Sequence, residues 1–122
     1  AQAIMENIKT GACLVIDARS KERFVGNVPE PREHLKRGHI PKAMNLPFTD
    51  LLKDGKFRST KELEESFEKV SSRNQDVIFS CGSGITACIL LFAATLVLDK
   101  ELYLYDGSWS EWGEGDTYPI EG

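Results

Sequence analysis

The sequence predicts an α/β domain, a parallel sheet with helices on both faces. Three observations predict it. Strand-like runs alternate with helical patterns along the chain, the mark of strand–helix–strand units. The run Cys13-Leu14-Val15-Ile16-Asp17 is apolar up to its last residue, as a strand covered on both faces must be. Asp76-Val77-Ile78-Phe79-Ser80, rich in β-branched and aromatic residues, passes through Cys81 and two glycines into a long apolar stretch that reads as helix.

Taken in order, residues 3–9 form a short helix, with Ile4 and Ile8 on one side and Gly11 at its C-terminal stop. The strand 13–17 follows. Residues 20–40 read as a long charged loop holding Gly26, Pro29, Pro31 and Gly38; a loop of that length in a small domain carries function. Residues 43–46 form a short strand and 49–53 a helical turn closed by Gly55. Ser59 or Thr60 caps the next helix, with Glu62 or Glu64 in capping-box reach and Leu63, Phe67 and Val70 as the buried stripe. Residues 101–106 form the last strand, and Gly107 opens a turn carrying Ser108, Trp109 and Trp112. The Gly-, Pro- and acid-rich tail, 113–122, is expected on the surface. In a parallel sheet the loops after the strands share one rim, where ligands collect. Residues 17–32, 81–86 and 106–109 leave from that rim.

With 122 residues, 41% of them hydrophobic and 28% charged, the chain is one domain with a single core. A net charge of −4 offers no basic footprint for nucleic acid. The longest apolar run, residues 85–98, is too short to span a bilayer, and no secretory signal is visible. The start Ala1-Gln2-Ala3, without an initiator Met, is what is expected of a piece excised from something longer. Three cysteines, an odd number, favour a reducing compartment. Cys81 and Cys88, separated by six residues, do not have a usual zinc spacing. Cys13 reads as a small buried hydrophobe. So does Cys88, with a redox partnership to Cys81 across two helical turns as the alternative.

The loop Cys81-Gly82-Ser83-Gly84-Ile85-Thr86 admits several readings. A thiol at a strand's carboxyl end, over converging N–H groups and a helix N-terminus, is expected to have a lowered pKa and to act as a nucleophilic thiolate. Gly82 to Ala87 also fits a G-x-G-x-x-A dinucleotide fingerprint, with Asp106 placed to bind a ribose; the late position of the loop and the short remainder of the chain weigh against it. A cysteine phosphatase needs an arginine at position 87, where Ala87 stands. An inert loop cysteine is the fourth reading.

Four stretches tip that balance. The cysteine loop resembles the active-site loop of the rhodanese superfamily in its mercaptopyruvate sulfurtransferase form. Asp17-Ala18-Arg19-Ser20, Glu22-Arg23-Phe24, Gly26 and Pro29-Glu30-Pro31-Arg32 resemble that family's substrate loop. Gly38-His39-Ile40-Pro41 with Asn45-Leu46-Pro47-Phe48, and Tyr105-Asp106-Gly107-Ser108-Trp109-Ser110-Glu111-Trp112, resemble its next signatures. The likeness runs from about Leu14 to Trp112, and the order of all four stretches is highly specific.

The resemblance implies a rhodanese-like fold whose central parallel sheet has about five strands. It implies that residues 1–122 are one rhodanese domain, the C-terminal catalytic half of a tandem protein whose N-terminal half completes the site and is missing from this chain. The implied donor is 3-mercaptopyruvate. Cys81 would take its sulfur as a persulfide, release pyruvate, and pass the sulfur to thioredoxin, a small thiol or cyanide, in a ping-pong pattern. Backbone N–H groups of Gly82, Ser83, Gly84, Ile85 and Thr86 would cradle the persulfide, and Thr86 would hold the loop through its hydroxyl. Ser83 would relay a proton. Arg23 and Arg32 would bind the donor's carboxylate, which a guanidinium fork suits. No cofactor or metal is implied, and a cytoplasmic or mitochondrial setting is.

His39 is expected to make a structural hydrogen bond rather than act as a base. Asp17 and Asp106 are expected to cap loops or helices, and Trp109 and Trp112 to pack, with a place at a domain interface as the alternative for one of them. Thiosulfate, a dianion, is the rival donor. That branch carries basic side chains in the loop, where Gly82 and Ser83 are neutral. A non-catalytic binding module is the rival of another class, and the joint presence of Cys81, Ser83, Arg23 and Arg32 weighs against it.

Overall fold

The computed structural model describes residues 1–70, 75–82 and 85–122, the side chain of Ile85 excepted. The chain runs α1 (Gln2–Thr10), β1 (Cys13–Asp17), α2 (Lys21–Val25), β2 (Met44–Asn45), a 3-10 turn (Phe48–Leu51), β3 (Leu52–Lys53), β4 (Lys56–Phe57), α3 (Thr60–Val70), β5 (Asp76–Ser80), α4 (Ile85–Val97), β6 (Leu102–Leu104) and α5 (Ser108–Trp112). Four strands make one sheet in the order β2-β1-β5-β6, and each neighbouring pair is parallel. The two central strands pair from Cys13 with Asp76 to Asp17 with Ser80. This register sets the end of β1 beside the residue that precedes Cys81.

Alternate residues of β1 and β5 feed two cores, as side-chain alternation across a strand requires. Ile16, Val77 and Phe79 pack under α3 and α4 with Leu51, Leu63, Phe67, Leu90, Ala93 and Ala94. Val15 and Ile78 pack on the other face with Ile4 of α1, Tyr105, Trp109 and Trp112. The expected architecture is therefore present. The described sheet has four strands rather than about five; residues 52–57 form a separate antiparallel hairpin, β3-β4, that does not join it.

Other expectations need correction. The loop 20–40 contains a helix, α2, capped by Ser20, whose Oγ accepts from Arg23 N, and closed by Gly26 at φ 82°. The expected turn 49–53 is a 3-10 turn that ends at Leu51, before the hairpin begins. Val70 is only partly buried, as is Cys13. Cys88 is exposed rather than buried. Helix α4 is apolar on almost every side, so its pattern alone does not select the inward face. Packing selects Ala87, Leu90, Ala93 and Ala94, which turns Cys88, Phe92 and Leu96 outward. Cys81 precedes the first helical residue, Ile85, so the two-turn relation to Cys88 does not hold. The tail lies largely on the surface, as expected, and is pinned there. Its Glu121 pairs its backbone with that of His39, Tyr118 stacks on Trp112, and Pro119 O accepts from Trp112 Nε1.

The start of α3 is a reciprocal capping box. Ser59 Oγ accepts from Glu62 N at 3.2 Å, and Glu62 Oε1 accepts from Ser59 Oγ at 3.1 Å and from Ser59 N at 3.4 Å. The Ser59 hydroxyl, then the Ser59 N–H and Arg58, hold the Glu62 carboxyl below its ordinary value. Being lowered in the fold, this group contributes stability that is present above its unfolded pKa and is lost as pH falls through its folded one. Ser59→Ala is expected to cost about 1 kcal/mol in urea denaturation at pH 7.

Candidate active site

The site is built where β1, β5 and β6 end. Cys81 follows β5 directly and is buried. Its backbone is fixed by the first turn of α5. Trp109 N donates to Cys81 O and Ser110 N to Gly82 O, both at 2.8 Å, while Cys81 N donates to Ser108 Oγ at 3.1 Å. Ser108 Oγ donates to Tyr105 O at 2.8 Å and stands 3.9 Å from Cys81 Sγ. These bonds hold Ser108 at φ 49°, a left-handed conformation unusual for a residue with a side chain. Ser83 and Gly84, and the side chain of Ile85, lie outside the described residues. The expected roles of Ser83 as a proton relay and of Gly84 and Ile85 in the loop are therefore not on view.

The long loop meets this cysteine loop from the other side. Arg23, from α2, donates from Nε and Nη2 to the two oxygens of Glu30, at 3.2 and 2.8 Å. A Cβ on Gly82 would stand 2.9 Å from Arg23 Nη2, so the guanidinium lies directly against the residue after Cys81. The hydrogen bonds to Glu30 raise the Arg23 pKa; burial opposes this, and the charges of Glu30, Asp17 and Cys81 add to it. Arg23, Glu30, Pro31, Arg32, Gly82 and Thr86 border a cleft of about 230 Å³, with Leu35 also in its wall. Arg23, Arg32, Gly82 and Thr86 thus come together from two distant segments. A larger cleft, about 440 Å³, between β2 and α3 has none of them in its lining, and its Arg58 is already paired with Glu62.

Behind the cleft lies a buried charge network that includes residues the sequence did not single out. Arg19 donates from Nη2 to Asp17 Oδ2 at 2.8 Å and to Gly38 O at 2.6 Å. Its Nη1 stands 3.3 Å from Glu30 Oε2, an ion pair without hydrogen-bond geometry. The same guanidinium sits 4.4 Å from the ring centre of Trp109. Glu30 is therefore shared by Arg19 and Arg23. Asn45 Nδ2 bonds Asp17 O and Arg19 O and so fixes the exit of β1. Asp17 is thus an ion-pair partner as well as a cap, since Oδ1 also accepts from Arg19 N. The only signal for these roles lay in the spacing of an arginine two residues after a strand-terminal aspartate, and in an acid set between two prolines.

His39 behaves as expected. Its ring stacks on Phe24 at 3.8 Å, and Nδ1 donates to Phe24 O at 2.7 Å, which ties α2 to the loop. Trp109 and Trp112 are fully buried packing residues, and Trp109 Nε1 donates to Lys36 O. Asp106 is exposed. Among the described residues no three His, Cys, Asp or Glu side chains converge as metal ligands, and no helix is long and apolar enough to cross a membrane.

Known proteins are similar to this chain. The family model for the rhodanese-like domain matches residues 1–114. The 3-mercaptopyruvate sulfurtransferase of Escherichia coli strain K12 is 44% identical over 108 residues, which cover 88% of this chain and 38% of that protein. The crystal structure of SseA from Escherichia coli, described with the rhodanese fold of 3-mercaptopyruvate sulfotransferases, superposes with a TM-score of 0.74 at 37% identity, over 91% of this chain and 41% of that one. Tum1 of Saccharomyces cerevisiae superposes with a TM-score of 0.83 at 30% identity, over 98% and 45% of the two chains. The chain thus spans less than half the length of these relatives.

Proposed function

Because the chain belongs to the rhodanese-like domain family, we propose that it moves sulfur from 3-mercaptopyruvate, through a persulfide on Cys81, to a thiol acceptor or cyanide. One observation supports this above the others. Two arginines from the loop after β1, Arg23 and Arg32, share a cleft with Gly82 and Thr86, neighbours of the buried thiol. A carboxylate held there by guanidinium groups would bring the rest of a short donor toward Cys81. Because related sulfurtransferases are more than twice as long, we also read residues 1–122 as one domain, the C-terminal catalytic half of a tandem protein.

On this reading the Cys81 thiolate attacks the donor's sulfur. The donor's C–S bond breaks, and its electron pair leaves on carbon as the enolate of pyruvate, which takes up a proton. Ser83 relays that proton. Cys81 is left as a persulfide, whose charge the loop N–H groups from Gly82 to Thr86 stabilise. An acceptor thiolate, from thioredoxin or a small thiol, then attacks the outer sulfur and frees Cys81.

The test is intact mass after incubation with 3-mercaptopyruvate, on the chain alone and joined to an N-terminal half. A gain of about 32 Da that dithiothreitol removes is expected of the persulfide. No gain in either form would overturn the proposal. Gly82→Ala checks the geometry. Its methyl group would meet Arg23 Nη2, the mobile end of a long side chain, so the fold should tolerate it. The displaced guanidinium should lower kcat/KM for mercaptopyruvate roughly 10- to 100-fold with little change in Tm.

A further inference from the structure

The charges behind the cleft form a closed set. Asp17 pairs with Arg19 at 2.8 Å, Arg19 with Glu30 at 3.3 Å, and Glu30 with Arg23 at 2.8 Å. Two carboxylates face two guanidinium groups, so the quartet is neutral as a whole. The Glu30 side chain is 0% exposed, whereas that of Arg23 is 28% exposed. The bonds to Glu30 use Nε and Nη2 of Arg23, and among the described residues its Nη1 makes no hydrogen bond. Arg32 lines the same cleft, is exposed, and pairs with no carboxylate among the described residues.

We propose that Glu30 is a specificity-determining residue for the sulfur donor. By cancelling charge within the quartet it leaves Arg32 as the uncompensated cation of the cleft, among the described residues. A cleft of that charge suits a monoanionic 2-oxo acid, while Arg23 still offers a donor edge to its carboxylate. A dianionic donor such as thiosulfate finds one uncompensated cation there rather than two. This rests on the sulfur-transfer proposal above, which it deepens. The physical reason is multiplicative: one more positive charge on the site attracts a dianion twice as strongly as a monoanion. Burial of the quartet limits screening, so the difference survives moderate salt.

Glu30→Gln keeps the shape and removes the charge. At low ionic strength it is expected to raise the ratio of kcat/KM for thiosulfate to that for 3-mercaptopyruvate by about ten-fold. Glu30→Asp, which keeps the charge, should leave the ratio near that of the unmodified chain even where both rates fall. Asp17→Asn adds the same charge at the far end of the quartet and should move the ratio the same way by less; it serves if the Gln variant does not fold. On the unmodified chain, calorimetry should find sulfate and pyruvate binding within about ten-fold of each other. An unchanged ratio in a folded Glu30→Gln or Asp17→Asn variant overturns the proposal, as does sulfate binding far tighter than pyruvate to the unmodified chain. If neither donor loads sulfur onto Cys81, the sulfur-transfer proposal fails. The calorimetry then decides the role of Glu30 separately: tighter sulfate binding by Glu30→Gln, with pyruvate binding changed less, supports it, and equal changes overturn it.

Discussion

Cys81→Ser is expected to lower sulfur transfer at least about a thousand-fold and to abolish the mass gain with 3-mercaptopyruvate. Removing an attacking nucleophile removes the covalent route rather than weakening it. A hydroxyl in place of the thiol is a weak nucleophile at neutral pH, and no other described cysteine is placed to substitute. Cys88 is exposed on the outer face of α4, and Cys13 lies at the opposite, amino-terminal end of β1. The variant should keep its fold, because the Cys81 backbone is held by Trp109 N and Ser108 Oγ and serine is close to cysteine in size. Circular dichroism with steady-state assay checks both halves of this expectation. Activity within ten-fold of the unmodified chain, in a folded variant, would place the sulfur carrier elsewhere.

Arg19→Ala is expected to have the largest effect on stability, about 3–5 kcal/mol in urea denaturation. Arg19 is fully buried between two carboxylates and over an indole ring. Its removal leaves Asp17 and part of the Glu30 charge uncompensated in a region from which water is excluded, and Gly38 O loses its donor. A domain of this size has only about 5–15 kcal/mol in hand, so the variant should be close to unfolding at 37 °C. Arg23→Ala makes the contrast. Arg23 is half-buried and Glu30 keeps Arg19, so the stability loss should be clearly smaller. Equal losses for the two variants would mean that the quartet does not act as the buried tie described here.

Much of the frame was legible because its signals are local. The uninterrupted apolar run at β1, Gly11 after α1 and the Ser59–Glu62 box each act within a few residues, and each stands where it was expected. Cys81 at the carboxyl end of β5 was legible for the same reason. The helix inside the 20–40 loop was missed because it is only five residues long, carries charge on most positions and has no fully buried residue to set a period. The face of α4 was missed because an almost wholly apolar helix has no polar side to orient it.

By itself, then, the sequence determined the main helices and strands apart from α2 and the β3-β4 hairpin, the parallel sheet and the place of the thiol on its rim, since hydrophobic period and capping chemistry do not depend on distant partners. Only the tertiary structure decided which charges meet. Arg23 reaches Glu30 across seven positions and Gly82 across fifty-nine, and Arg19 reaches Gly38 across nineteen. Those meetings depend on the path of one loop, tied down by His39 on Phe24 and by the backbone of Glu121 in the tail. A guanidinium in a loop has many carboxylates within reach of its chain. Burial selects one of them, because an unpaired charge removed from water costs far more than any local preference can offset.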